Sequence, residues 1–205
     1  MTGQQCAYAG AAHLYDARTG AFNSYRQQLI DLMPIQRGEV AIDVGCGTGL
    51  CFPLLQERVG SEGRIIGIDP APEMVKVAKA RVAEHGWQNV TLLEATAEDA
   101  QLRGVMADHV LFCAVHDVLR SEVALDHLLA HVRPGGTVAA GGGKWAPFWL
   151  VALNLAIWAT HAPYVRNFSG FDKPWAVLAE RVEHLEIREV AMGGGYLAIG
   201  IVPGR

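Results

Sequence analysis

The sequence predicts an α/β fold with a doubly wound, mostly parallel sheet of seven strands, one of them antiparallel. Three observations predict it. Strand-like and helix-like segments alternate five times between residues 40 and 140, which is typical of a parallel sheet. An apolar strand over residues 40–44 leads directly into a glycine-rich turn that opens a helix. Two further apolar segments near residue 200 have the pattern of a hairpin, which adds the antiparallel strand.

Composition limits the class of protein. The 205 residues, 51% hydrophobic and 19% charged, suit a single globular domain. A formal net charge of −4 and the absence of a basic patch argue against a nucleic-acid partner. The four cysteines form no C-x-x-C pair, which argues against a zinc site and a disulfide framework and favours a cytoplasmic location. No secretory signal is expected either, because the N-terminus lacks a charged region followed by an apolar one.

The first predicted elements are a helix and the central strand. Tyr25, Leu29 and Leu32 recur at helical spacing and predict a helix over residues 23–32. Arg26 on that helix is interpreted as a solvated arginine, with contact to a ligand carboxylate as the alternative. Residues 40–44 then suit a strand that is covered on both faces.

A glycine turn follows this strand. Gly45, Gly47 and Gly49 allow a tight turn and a close approach of backbone to ligand, and the next helix presents unpaired N–H groups. A dinucleotide fingerprint would need a third glycine at position 50, which is Leu50. The turn therefore indicates a ligand other than a dinucleotide.

The middle of the chain continues the alternation. Strands are predicted over residues 64–69, 89–94, 107–114 and 137–140, and helices over residues 50–58 and 72–85 and after Ser121. The helix after Ser121 has an apolar stripe along one face, and Val132 belongs to that stripe. Residues 133–136 are predicted to turn before the next strand. His127 and His131 lie four residues apart on the helix, but no glutamate follows His127, so no metal site is predicted.

The segment over residues 145–165 is almost entirely apolar. A helix bounded by Pro147 and Pro163 would be roughly 24 Å long at 1.5 Å per residue, too short for a hydrocarbon core of roughly 30 Å, so no transmembrane span is predicted. The helix is expected either to cap a pocket for an apolar acceptor or to rest on a bilayer or a partner subunit. Its few polar residues favour the buried cap. A helix from Pro174 to Val182 and strands over residues 186–190 and 196–201, joined by a turn at residues 193–195, complete the chain.

The turn after the first strand resembles a known motif. Asp43 followed by Gly45, Gly47 and Gly49 resembles motif I of the class I S-adenosylmethionine-dependent methyltransferases. The resemblance covers residues 40–144 by motif and the last 30 residues by pattern. It implies a Rossmann-like methyltransferase fold in one domain over residues 1–205, with an N-terminal lid segment at residues 1–38 and a helical cap insertion at residues 145–173.

The resemblance also implies the cofactor and its contacts. The cofactor would be S-adenosyl-L-methionine, and the glycine loop would touch its methionine and ribose parts. Asp69, at the tip of the second strand, can accept hydrogen bonds from both ribose hydroxyls, and capping of the next helix is its alternative role. Either Glu98 or Asp99 would meet the adenine amino group. The full set of predicted cofactor residues is Tyr15, Asp43, Gly45, Cys46, Gly47, Gly49, Asp69, Pro70, Met74, Ala97, Glu98, Asp99, Cys113 and Ala114.

The acceptor is expected to lie against the two segments that the motifs do not cover. We expect O- or N-methylation of a small, largely apolar molecule. His116 and His161 are the candidate catalytic bases, because the ordinary histidine pKa lies near working pH. His116 should also contact the substrate, and Trp145, Trp149 and Tyr164 could surround a forming cation.

Two alternatives remain at this point. The chain could methylate a membrane lipid or a quinone headgroup, with contact to a membrane surface. It could also be a regulatory protein that binds the cofactor without catalysis. The oligomeric state is not predicted.

Overall fold

The sheet follows the predicted winding. In the computed structural model, which describes residues 22–165 and 167–204, the strands are β1 (Val40–Val44), β2 (Arg64–Asp69), β3 (Val90–Glu94), β4 (Ala107–Cys113), β5 (Val132–Gly143), β6 (Glu183–Val190) and β7 (Gly195–Ile201). These described strands form one seven-stranded sheet in the order β3-β2-β1-β4-β5-β7-β6. Only the pairs that include β7 are antiparallel, which confirms the predicted fold with one antiparallel strand.

Helices cover both faces of this sheet. The helices are α1 (Asn23–Asp31), α2 (Phe52–Val59), α3 (Pro72–Glu84), α4 (His116–Leu119), α5 (Glu122–Leu129), α6 (Val151–His161) and α7 (Ala176–Ala179). The chain winds from β1 to β3 on one side and from β4 onward on the other, so the sheet has a switch point between β1 and β4. Ligands of open parallel sheets bind outside the carboxyl ends of the strands at such a point.

The hydrophobic core has two halves, one on each face of the sheet. Ile42 and Val44 of β1 point into one half, which α5 completes, and Ala41 points into the other, which α1 and α2 complete. This alternation follows from the two-residue period of a strand. The strand is apolar throughout, apart from Asp43, because both of its faces are buried.

The predicted turn at residues 133–136 is wrong. Val132 belongs to β5 rather than to the helix before it, and residues 133–136 form an irregular stretch of that strand, opposite a register shift between Ala107 and His109 of β4. The stretch is held in the sheet because Gly135 N–H donates to the Val202 carbonyl and Val202 N–H donates to the Gly136 carbonyl, both at 2.9 Å. Pairing with Val202 near the end of the chain therefore decides the structure of this stretch, rather than its local turn pattern.

Two later elements also differ from expectation. The helix predicted from Pro174 to Val182 is a single turn, α7, and Val182 instead packs beside Gly200 of β7. The outermost strand, β6, begins at Glu183, earlier than predicted, and most of its side chains are exposed, including those of Glu186, Arg188 and Glu189.

The apolar helix is not buried as the favoured interpretation expected. In α6, shorter than predicted, Ile157 is the only buried residue, and Val151, Leu155 and Trp158 are exposed. None of the helices over the described residues is long and apolar enough to cross a membrane.

Candidate active site

The glycine loop is held by backbone geometry and by one carboxylate. Cys46 N–H donates to the Ile68 carbonyl at 3.0 Å, and Gly47 N–H donates to Asp69 Oδ2 at 2.9 Å. Gly45 has a φ of +63°, and a Cβ there would lie 2.2 Å from Val115 Cγ1. Gly47 has a φ of +55° but faces open space. Gly45 is therefore needed for close packing as well as for its φ, whereas Gly47 leaves backbone open to a ligand.

A small cleft opens at the switch point above this loop. It has about 350 Å³ of empty volume and is lined by Arg26, Asp43, Gly45, Cys46, Gly47, Thr48, Leu50, Cys51, Cys113 and Ala114. The structure thus brings together six of the predicted cofactor residues, from the end of β1, the glycine loop and the end of β4. Thr48, Leu50 and Cys51 were not predicted, although they directly continue the motif.

Arg26 belongs to this cleft, so its interpretation as a solvated arginine is wrong. Only 7% of the residue is exposed, and Nη1 donates to Asn23 Oδ1 at 2.7 Å. Its positive charge lowers the pKa of Asp43, against the larger effect of burial, which raises that pKa. The sequence signal for this role is its helical spacing to Leu29 and Ile30, two buried residues of the same helix.

Asp43 is a buried carboxylate with spare capacity. It is 1% exposed, and among the described residues its Oδ2 has no hydrogen-bond partner. Burial raises the pKa of this carboxyl well above its ordinary value, and the nearby Cys113 and Asp69 raise it further. A buried polar atom without a partner is uncommon in native structures. A cationic or hydrogen-bond-donating ligand in the cleft would satisfy it, as the ammonium group of S-adenosylmethionine can.

Asp69 joins the glycine loop to the start of α3. Its Oδ2 accepts from Gly47 N–H, and its Oδ1 accepts from Ala71 N–H at 2.9 Å. Burial raises the pKa of Asp69, although these two hydrogen bonds lower it. Each carboxylate oxygen can accept one more hydrogen bond. The position at the helix start agrees with the alternative capping role, and the ribose contact stays a prediction with acceptor sites that fit it.

The predicted adenine residues form a separate group. Met74 is buried against Ala71. Ala97, which follows β3 in the chain, is buried in the hydrophobic core. Glu98 Oε1 accepts from Ser121 Oγ at 2.8 Å, whereas Asp99 Oδ2 accepts from Thr96 Oγ1 at 2.9 Å within its own turn. These residues, with Pro70 and Gly49, are not part of the cleft lining among the described residues. Their contacts with the cofactor stay predictions.

Two thiols meet in the wall of the cleft. Cys113, at the end of β4, lies in this wall with Cys51. The interaction between the two thiols lowers the pKa of Cys113, and Arg26 lowers it further, whereas the same interaction and burial raise the pKa of Cys51. The wall beside Asp43 is therefore sulfur-rich and weakly polar.

The chain turns sharply after β4. Ala114 has a φ of +59°, a conformation that L-residues rarely adopt, and its N–H donates to the Gly141 carbonyl at 2.7 Å. This turn places Val115 against Gly45 and starts α4 at His116. Strained backbone of this kind is frequent at functional sites.

His116 is buried with both ring nitrogens unused. It is 9% exposed, and neither nitrogen has a hydrogen-bond partner in the described part of the chain. Burial lowers the pKa of His116, and the neighbouring Arg120 and His161 also lower it, whereas the charge of Asp117 and the nearby Ser169 backbone raise it. The ring is therefore neutral near pH 7 and able to accept a proton.

An aromatic cluster surrounds this histidine. Phe171 lies 5.0 Å from His116, 5.4 Å from His161 and 5.2 Å from Trp145, measured between ring centroids. His161 also lies over Gly143, where a Cβ would be 2.3 Å from Nε2, and its Nδ1 lies 2.9 Å from the Ile157 carbonyl oxygen. The two predicted bases thus share one cluster, at the carboxyl end of β5.

The other predicted acceptor residues lie elsewhere. Trp149 is 67% exposed, and its ring contacts Phe148 rather than Phe171. Tyr164 is half-buried at the end of α6. Tyr15 lies outside the described residues. The contacts of Trp149 and Tyr164 with an acceptor and that of Tyr15 with the cofactor stay predictions. No group of histidine, cysteine, aspartate and glutamate side chains able to hold a metal is found in residues 22–165 and 167–204.

Comparisons with known proteins bear on the family of the chain. A family model described as "Methyltransferase domain" matches residues 41–136, from β1 to β5. Aklanonic acid methyltransferase DauC of Streptomyces sp. (strain C5) is 38% identical over 77 residues, which cover 38% of this chain and 35% of that protein. Demethylmenaquinone methyltransferase of Anoxybacillus flavithermus is 31% identical over 116 residues, which cover 56% of this chain and 49% of that protein. The chain thus spans about half or less of the length of these relatives.

The fold is similar to solved structures over nearly the whole chain. The methyltransferase in a complex with the Haloferax volcanii Trm112 methyltransferase activator superposes with a TM-score of 0.74 at 15% identity, covering 98% of both chains. A SAM-dependent methyltransferase from Aquifex aeolicus superposes with a TM-score of 0.61 at 20% identity, covering 86% of this chain and 89% of that one. The methyltransferase domain that matches residues 41–136, together with the glycine loop and the acid at the end of β2, supports assignment to the class I S-adenosylmethionine-dependent methyltransferases and S-adenosyl-L-methionine as the cofactor.

Proposed function

We propose that this protein transfers a methyl group to a hydroxyl of a small, largely apolar acceptor that lies between the cleft and the aromatic cluster. The observation that carries the proposal is His116, a buried neutral imidazole with two unused nitrogens beside the cleft. The names of the two relatives, which specify aklanonic acid and demethylmenaquinone, support an organic small-molecule acceptor.

The cleft residues would hold the cofactor. Backbone N–H groups of the glycine loop would face its polar parts, Asp43 would accept from its ammonium group, Arg26 would face its carboxylate, and Asp69 would accept from its ribose. When bound, S-adenosylmethionine supplies a methyl group on a positively charged sulfur that leaves readily. The protein therefore has to align the acceptor and exclude water rather than form a covalent bond.

His116 would act as the base. A hydroxyl is a weak nucleophile until it loses its proton, and an unused imidazole nitrogen can accept that proton. Phe171 and Trp145 would pack against an apolar acceptor and keep water from the imidazole. His161 has Nδ1 near the Ile157 carbonyl, so its Nε2 is the nitrogen that remains for the acceptor.

Replacement of His116 tests this role. We expect His116→Ala to lower kcat by about 10²-fold or more, the usual range for loss of a general base, while the cofactor dissociation constant stays within about twofold. Radiolabelled S-adenosylmethionine and a panel of phenols and hydroxyquinones would measure turnover, and calorimetry would measure binding. The acid limb of the wild-type pH profile should lie below pH 6.5, the ordinary histidine value, because burial lowers the pKa of His116.

His85→Ala is the matched control. His85 lies at the end of α3 and stacks on Trp87 at a ring distance of 4.4 Å, away from the cleft lining. Its kcat should equal that of the wild type. Full turnover by His116→Ala would remove this histidine from the reaction, and failure of the wild type to bind the cofactor would remove the function itself.

The quinone or lipid headgroup alternative is supported by the name of the second relative. It differs from the main proposal in where the acceptor is dissolved, not in the residues that act on it.

A further inference from the structure

An exposed apolar surface lies beside the aromatic cluster. It consists of Phe148, Trp149, Val151, Leu155, Trp158 and Met192, and is called the outer patch below. Each of these side chains is at least 51% exposed, and Phe148 reaches 84%. Large contiguous apolar surfaces on a protein mark binding to a membrane or to another protein.

The outer patch exists because α6 is turned with its apolar face outward. Val151, Leu155 and Trp158 follow the helical spacing i, i+4, i+7 and form one exposed stripe. Asn154, Ile157 and His161 form the opposite stripe, which faces the protein. Asn154 Oδ1 accepts from Ala146 N–H at 2.9 Å, and Ile157 packs beside Gly194. The polar groups of the helix are thus used for attachment to the fold.

A second segment extends the patch. Lys144, 6% exposed, donates from Nζ to the carbonyls of Trp145 and Gly193 at 2.8 and 3.0 Å, and forms an ion pair with Glu189. These contacts hold the loop after β6 against the start of the α6 segment, with Met192 77% exposed. The patch is therefore built on a fixed base and does not depend on one helix alone.

The charges of the patch indicate what can cover it. The sequence from Trp145 to Val165 has no Asp, Glu, Lys or Arg, and the six side chains of the outer patch offer only their two indole N–H groups for hydrogen bonds. Protein interfaces carry about one hydrogen bond per 100–200 Å², and this patch offers few groups that could form them. The boundary between headgroups and acyl chains of a neutral bilayer is also uncharged, so it matches this patch. Trp side chains concentrate at that boundary.

We propose that the outer patch docks this protein on the surface of a neutral phospholipid bilayer. An isolated helix on a bilayer needs a polar face toward water. The helix α6 does not need one, because its inner side is attached to the protein. Docking would put the His116 cluster, which contacts the inner face of α6 through Phe171 and His161, next to the membrane. An apolar acceptor dissolved in the bilayer would then reach the site without crossing water. This last step rests on the proposed function, but docking itself does not.

Vesicle binding tests the proposal without any enzyme assay. The full chain is sedimented with phosphatidylcholine vesicles, and Trp emission is followed with brominated phosphatidylcholine, whose bromine atoms quench indoles at the acyl boundary. We expect binding that changes little between low and high salt and is not increased by anionic lipid, because the patch has no cations and the chain has a net charge of −4.

Paired substitutions locate the surface. Phe148→Ser with Leu155→Ser should lower the vesicle partition coefficient at least tenfold, and an unchanged circular dichroism spectrum should show an intact fold. Met106→Ser with Val123→Ser is the matched control, because these side chains are 57% and 66% exposed but lie before β4 and on α5. The control should bind vesicles as the wild type does.

Four results would overturn the proposal. They are wild-type protein that stays in the supernatant, a patch variant that binds as the wild type does, binding that requires anionic lipid, and a wild-type dimer in gel filtration that the patch variant abolishes without any vesicle binding. The last result would assign the patch to a second copy of the chain. Loss of turnover by His116→Ala with vesicle binding intact would support the function and the docking separately.

Discussion

At the scale of single residues, the site is recognised by buried polar atoms that the fold leaves unused. Asp43 Oδ2 and both nitrogens of His116 lack partners among the described residues, although the buried Lys144 and His109 have theirs. Unused buried polar groups are costly, and a ligand that satisfies them recovers that free energy. The raised pKa of Asp43 and the lowered pKa of His116 have the same first cause, which is burial.

Asp69 is the residue at which the cofactor assignment can be tested most directly. Asp69→Asn keeps the size of the side chain but places an NH₂ group against one of two backbone N–H donors, from Gly47 or Ala71. We expect the cofactor dissociation constant to rise at least tenfold, which is the order of one lost charge-assisted hydrogen bond. Calorimetry with S-adenosylhomocysteine checks this, and Asp126→Asn, an exposed partner of Arg181, serves as the control. Wild-type affinity in Asp69→Asn would refute a role for this carboxylate in binding.

At the scale of elements, α1 is the piece that completes the cleft. Arg26 reaches the cleft lining from it, while Tyr25 fixes its orientation: the phenol donates to the Tyr196 carbonyl at 2.6 Å, and burial raises the pKa of that phenol. Leu29, Ile30 and Met33 then pack against the sheet. The helix is therefore attached by the Tyr25 phenol near its start, by apolar contacts along its length and by an ion pair of Asp31 with Arg58 at its end.

Removal of that hydrogen bond should loosen the helix. Tyr25→Phe keeps the ring but leaves the Tyr196 carbonyl without this donor, so we expect the free energy of unfolding to fall by about 1–3 kcal/mol. Cofactor affinity should fall with it, because Arg26 depends on the same helix. Urea unfolding and calorimetry measure the two effects. Gln28→Ala, at an exposed position of α1, should change neither, and a fully stable Tyr25→Phe would show that this hydrogen bond does not hold the helix.

The elements also show what the sequence could and could not predict. β1 and β2 lie where the apolar pattern and the glycine turn predict them. Both faces of these strands are covered, so the apolar residues in the sequence are the buried residues in the structure. The direction of α6 was not predictable, since a helix that is apolar on nearly all sides has no stripe to say which face meets the protein. Arg26 was misread for a related reason: its charge suggested solvent, whereas its position on α1 put it among buried neighbours.

At the scale of the whole molecule, a polar network closes the edge of the sheet opposite the cleft. His109 lies 2.6 Å from Thr137 Oγ1 and 2.7 Å from Glu39 Oε2, and Arg133 bonds to both Glu39 and Asp108. Burial opposes the ionisation of Glu39, but the hydrogen bonds from His109 and from Gln36 N–H lower its pKa below the ordinary value. The network joins β1, β4 and β5 where the strands begin.

This network predicts how stability depends on acid. A carboxyl whose pKa is lower in the folded state stabilises the fold above the unfolded pKa, and that contribution is lost as pH falls through the folded value. We therefore expect the contribution of Glu39 to the free energy of unfolding to decline below about pH 4.5, and Glu39→Gln to be less stable than the wild type near neutral pH by about 1–3 kcal/mol, with a smaller difference at low pH. Urea unfolding between pH 3 and pH 7 measures both curves. Parallel curves for the two proteins would contradict the role of Glu39.

The outermost strand has a consequence for how the protein behaves in concentrated solution. β6 presents Glu183, Glu186, Arg188 and Glu189 on an edge that no other described strand covers. Unpaired backbone groups on such an edge can recruit a strand from a neighbouring molecule, and fibres grow in that way. Charged side chains repel an identical neighbour that approaches in this manner. We therefore expect the charges on β6 to oppose growth of the sheet by a second molecule.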